Sequence, residues 1–220
     1  MAKKEIKHPG VEISELYTNN IKTNISIYVE EGGKRIGDKM CYPTAVAVAL
    51  SRLGIENPRD DMQYEDYIQT LFDTDTNLSG KYAGNIPPRG NPYAEADMVK
   101  KYFGVNSDIK LISADDYANT SQISNFYNTT IKSNINNGKQ VILSTGLTKS
   151  GHIVNLNRVT ERGIYFQDSY GIPTFETNGV TYQKNSINWR YTAGTNVFAS
   201  WEDIKEYNIG IGKYYMTIGR

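Results

Sequence analysis

The sequence predicts an α+β fold, with helices in the first half of the chain and an antiparallel sheet in the second. Three observations carry that expectation. The ten residues from Cys41, CYPTAVAVAL, are apolar on almost every side, so they read as a helix buried in a core. Further stretches before Gly138 repeat apolar residues at helical spacing and end in glycine. From Gln140 the pattern becomes short runs rich in β-branched residues with turns between them. Helices segregated from strands along the chain indicate α+β rather than alternating α/β.

In chain order, residues 1–37 are polar and read as an extended arm. Pro9-Gly10 marks a turn, Asn24 to Glu30 (NISIYVE) a short strand, and Gly32-Gly33 a flexible break. Residues 38–220 read as a single domain. The cysteine helix is expected to close near Gly54, a natural left-handed cap after Leu53. A second helix is expected from Asp60 to Phe72, with Tyr64, Tyr67, Ile68, Leu71 and Phe72 on one face. Asp73 to Pro92 reads as a long loop. Its DTDTNLSG run loosely resembles a calcium loop, but Leu78 stands where the turn glycine belongs and Gly84 where the glutamate belongs. A solvated loop over a cleft is the plainer reading. Tyr93 to Phe103 is expected as a helix with Met98, Val99 and Tyr102 inward. Ser121 to Asn137 is expected as another, with Ile123, Phe126, Tyr127, Ile131 and Ile135 on its buried face. Strands follow at Gln140–Thr145, His152–Val159 and Ile164–Asp168. A short capped helix at Ser200-Trp201-Glu202-Asp203 and a closing strand in YYMTI complete the chain.

Composition narrows the function. The chain has 220 residues, enough for one domain with a sizeable core. Formal charge balances at +0, which gives no support to nucleic-acid binding or to a polybasic membrane surface. No apolar run is long enough to span a bilayer. MAKKEIKHPG has no apolar stretch behind its charges, so no signal peptide is expected and the expected location is the cytoplasm. With one cysteine and two histidines, His8 and His152, neither an intrachain disulfide nor a Cys- or His-rich metal site is expected.

The candidate chemistry starts at Cys41. At the mouth of a helix, unpaired N–H groups and the positive end of the dipole favour a thiolate. A thiolate nucleophile needs a base and a group to orient that base. His152 opens a strand after Ser150-Gly151, and Asp168 closes the next one. Symmetric pairing between them turns near Thr160, and Gly163 pulls that centre later. A three- to five-residue loop or a bulge absorbs the difference. The carboxylate then holds one imidazole nitrogen and leaves the other for sulfur. Taken singly, each residue has a plain structural reading: a small buried thiol, a hydrogen-bonded surface histidine, a turn aspartate. Together they form a thiol, a base and an orienter in the order Cys, His, Asp. Tyr42, Tyr170 and Trp189 are aromatic candidates for lining the cleft or for packing.

These pieces resemble a known family. CYPTAVAVALSRLGI, GKQVILST, GHIVNLNRV and GIYFQDSYG are similar to the nucleophile helix, the preceding strand, the histidine strand and the aspartate turn of papain-like cysteine peptidases. The group in question is the C39-like one of bacteria and phages, which includes bacteriocin-processing enzymes. The resemblance covers roughly Asp38 to Gly171. It implies a papain-like fold with the nucleophile on a central helix, and catalytic roles for Cys41 as nucleophile, His152 as base and acid, and Asp168 as orienter. It implies hydrolysis of an amide bond in a peptide, a protein or the cross-linked peptide of a bacterial cell wall, without a cofactor or metal. Stand-alone relatives include phage lysins, and KHPGVEISE resembles phage structural proteins, so release by lysis or a place in a phage particle is the alternative to a cytoplasmic location. The chain departs from the family in one respect: no glutamine precedes Cys41 to bind the oxyanion. Its position falls at Arg35, and Arg35, Asn20 or Asn24 are the substitutes at hand. Two readings from other classes remain beside the enzyme: a peptidase fold that holds a peptide without cutting it, and a calcium-dependent interaction protein built on Asp73, Asp75 and Asn77.

Overall fold

The computed structural model describes residues 40–149, 151–176, 179–184, 194, 196–207 and 214–220. The expected strand at 24–30, Asp38, Trp189 and the three candidate oxyanion donors lie outside them.

Helix α1 (Cys41–Arg52) is buried from Tyr42 through Leu50, as an all-apolar run requires. It closes on Leu53, and Gly54 follows at φ 73°, a value that suits glycine. Helix α2 (Tyr64–Thr74) begins at Tyr64 rather than Asp60. The side chain of Asn57 holds the carbonyl of Met62 at 2.8 Å, and Arg59 pairs with Asp61, so these residues form a turn instead. Tyr64, Ile68, Leu71 and Phe72 are buried on its inner face.

The expected loop from Asp73 to Pro92 is instead partly helical, with α3 (Thr76–Lys81) and a 3-10 turn at Pro88–Gly90. Asp75 caps α3 by accepting the Leu78 N–H at 3.0 Å, and Leu78 is buried in the core. The other oxygen of Asp75 takes the Tyr102 hydroxyl at 2.8 Å and Lys101 Nζ at 2.5 Å. The carboxylate that suggested a calcium loop is therefore spent inside the protein. Helix α4 (Pro92–Phe103) is capped by Asn91, starts on proline and ends at Gly104, φ 66°. Met98 and Val99 are buried as expected; Tyr102 is not inward but 37% exposed, drawn outward by its bond to Asp75.

The polar strand β1 (Asn106–Leu111) has no counterpart in the sequence reading. Helix α5 (Thr120–Phe126) runs through a π turn (Tyr127–Ile131) into α6 (Lys132–Asn136), and Ile123, Phe126, Tyr127 and Ile131 are buried. Strands β2 (Gln140–Thr145), β3 (His152–Val159) and β4 (Gly163–Gln167) follow, with β4 ending one residue short of Asp168. Beyond them lie a separate hairpin, β5 (Gly171–Glu176) with β6 (Gly179–Lys184), then β7 (Val197–Ser200), α7 (Trp201–Glu206) and β8 (Tyr214–Gly219).

The main sheet is antiparallel in the order β1-β8-β2-β3-β4-β7. Side chains alternate between its two faces. Ile142, Met216 and Ile218 pack with α1, α2 and α4. Val141, Leu143, Val154, Leu156, Ile164 and Phe166 pack with α5 and α7. The helices thus form two layers with the sheet between them. No helix among the described residues is long and apolar enough to cross a membrane.

Candidate active site

The site is assembled at one end of the sheet, where β3 starts and β4 has just finished. Antiparallel pairing puts those two chain ends side by side. The pairing is regular from Asn155↔Gln167 to Leu156↔Phe166, then shifts to Arg158↔Tyr165. A bulge at this point and the short turn from Thr160 to Gly163, closed by Thr160 N–H to Gly163 O at 2.8 Å, together absorb the offset that the sequence implied.

His152 and Asp168 meet in this arrangement. Nε2 of His152 lies 2.7 Å from Oδ1 of Asp168, and both side chains are sealed from solvent. The same oxygen accepts the backbone N–H of Tyr170 at 2.7 Å. The Tyr170 ring lies over the imidazole, tilted by 37° with centroids 3.9 Å apart, so this aromatic covers the histidine. Before His152, Gly151 at φ 80° and the Thr145 hydroxyl, which donates to the His152 carbonyl at 2.8 Å, set the entry to β3.

Cys41 comes to the same ring from α1. Its thiol lies close enough to His152 to feel the ring's charge, and the backbone N–H of Ile153 is also near sulfur. Because Asp168 takes Nε2, Nδ1 is the ring nitrogen left for the thiol. Cys41 is half-buried, the one member of the three that solvent reaches. Burial opposes a thiolate, but the neighbouring His152 overcomes it and holds the thiol below its ordinary value. Burial likewise opposes an imidazolium, yet Asp168 and then Cys41 raise His152 to about 9. A thiolate–imidazolium pair is the state this environment favours.

Polar links fix α1 against the sheet, and no motif signals them. Asn155 Nδ2 donates to the Ala45 carbonyl at 2.8 Å, one turn of α1 from Cys41. Arg52, at the far end of α1, reaches Asn157 Oδ1 at 2.6 Å and Gln167 Oε1 at 3.2 Å, at the bulge itself. Tyr42 does not line the cleft; it is buried and its hydroxyl donates to Met216 Sδ at 3.2 Å.

Helices packed on an antiparallel sheet, with the lone cysteine opening the buried helix, make this a papain-like α+β fold. The chain belongs to the Peptidase_C39 like family, whose model matches residues 22–205. No curated protein matches the chain.

Proposed function

We propose that this protein is a cysteine peptidase that hydrolyses a peptide amide bond, with Cys41 as nucleophile, His152 as acid and base, and Asp168 as orienter. One observation carries the reading. A buried imidazole is fixed to a carboxylate at 2.7 Å through one nitrogen while a half-buried thiol sits within electrostatic reach of the same ring. The family membership supports a peptide or protein substrate.

In this mechanism the Cys41 thiolate adds to the amide carbonyl carbon. The C–N bond then breaks, and the proton on His152 goes to the departing amine, leaving a thioester and a neutral imidazole. Water gives a proton to His152 as its oxygen attacks the thioester. The acid leaves, and the thiolate–imidazolium pair is restored. Negative charge on the carbonyl oxygen falls near the start of α1, where the first N–H groups of the helix point outward and the Met40 side chain makes no cap.

The test is incubation of the purified protein with denatured proteins and with isolated cell-wall fragments, reading new termini by mass spectrometry. Cleavage is expected in one of the two, lost in Cys41→Ala with the fold retained. Cleavage that persists in Cys41→Ala overturns the assignment. Peptide binding without turnover, unaltered in that variant, makes the protein a binding module instead.

A further inference from the structure

Asp168 orients His152 only if its own backbone is held, because it lies one residue beyond β4 and outside the ladder. Its N–H donates to the carbonyl of Gly194 at 2.7 Å, the shortest of the backbone bonds in the turn that follows β4. The remaining bond of that turn, Gly171 N–H to Asp168 O, is longer at 3.3 Å. Gly194 is buried and sits at φ 79°, in the left-handed region that favours glycine. A Cβ on this residue would collide with the Asp168 carbonyl oxygen and meet the Gly171 carbonyl oxygen at 2.6 Å. Both obstacles are backbone, which no rotamer change relieves. The absent side chain is what lets this residue lie against the Asp168–Gly171 turn.

We infer that Gly194 is a positioning residue for the reaction: its backbone clamps the Asp168 turn, and its lack of a Cβ sets how close the carboxylate comes to His152. The inference rests on the peptidase reading for its catalytic meaning. The geometry it concerns is open to measurement without any substrate. Gly194→Ala pushes the turn away, and the 2.7 Å bond between Asp168 and His152 lengthens with it. The imidazolium then loses the partner that keeps its proton.

The chain has two histidines, so His152 can be followed by NMR titration of the ring signals, with His8 as an internal reference. In the unaltered protein His152 is expected to titrate at about 9. In Gly194→Ala it moves toward the ordinary imidazole value of about 6.5. Asp168→Asn makes the same move, and adding Gly194→Ala to Asp168→Asn changes nothing more. On a cleaved peptide, Gly194→Ala lowers kcat on the order of 100-fold with little change in KM. A His152 titration unmoved by Gly194→Ala overturns the inference, as does an additive effect in the double variant. If Gly194→Ala does not fold, amide exchange in the unaltered protein decides: the Asp168 N–H is slow if the clamp holds, and rapid exchange there overturns it. Failure of the peptidase reading shows separately, as cleavage that survives Cys41→Ala while the His152 titration still responds to Gly194→Ala.

Discussion

Asp168 commits one oxygen, Oδ1, to two donors: the His152 ring and the Tyr170 amide, each at 2.7 Å. A carboxylate fixed this way orients the imidazole and favours its charged form. The pH dependence follows from the signs. The thiol is held below its usual value and the imidazole is raised to about 9, so the reactive pair exists between those limits. Hydrolysis is expected to fall as pH rises through about 9, because the proton destined for the leaving amine is lost from His152. In Asp168→Asn that alkaline limb shifts to lower pH and the plateau drops. A pH–rate profile with the same upper limb in both proteins would falsify the role given to the carboxylate. The raised imidazole also contributes to stability. That contribution is complete below about 6.5. It is lost as pH rises through about 9.

Among elements, α1 illustrates what local sequence reveals and what it hides. Its apolar run, its glycine close and the strand periods of β2, β3 and β4 are properties of consecutive residues, and all are found where the chain implies them. The seating of α1 is different. Asn155 bonds Ala45 across 110 positions of chain, and no spacing rule marks such a pair. Asn155→Ala is expected to cost about 1–3 kcal/mol in urea unfolding, because a buried link between α1 and β3 is lost. It should also slow Cys41 alkylation by iodoacetamide, since the helix start then wanders from His152; alkylation at the unaltered rate counts against this. Strand β1 escaped the reading because four of the six residues of NSDIKL are polar and it takes its place at the sheet edge by pairing with β8. Helix α3 escaped because its signal is a cap, Asp75, inside a segment rich in turn residues. On α4, Glu95 is fully buried and neither carboxyl oxygen finds a hydrogen-bond partner among the described residues. Burial, with the nearby Cys41 thiolate, pushes its carboxyl well above the ordinary range. A raised acid stabilises the fold below its unfolded value and withdraws that stability as pH climbs beyond it. The limiting slope is about 1.4 kcal/mol per pH unit. Glu95→Leu, of similar bulk and without charge, is expected to raise the melting temperature, by more at pH 8 than at pH 5. Equal shifts at the two pH values contradict a buried, neutral Glu95.

At the scale of the whole molecule, one sheet serves two cores. Ile142 and Met216 face α1 while their neighbours Val141, Leu143 and Tyr215 face α5. Neither helical layer can leave without exposing a face of the strands that position His152. The end of the sheet that carries His152 and the far layer should therefore unfold together. Phe166 tests this, since it is fully buried in the far core yet lies just two residues from Asp168. Phe166→Ala is expected to cost about 3–5 kcal/mol. Tryptophan fluorescence, to which Trp201 in the far core contributes, and hydrogen exchange of the buried α1 amides then report a single midpoint, displaced by the same amount. If α1 exchanges at lower denaturant than the fluorescence change, the α1 layer is a separate unit. The geometry of the site would then depend on α1 and its polar links to β3, not on the sheet as a whole.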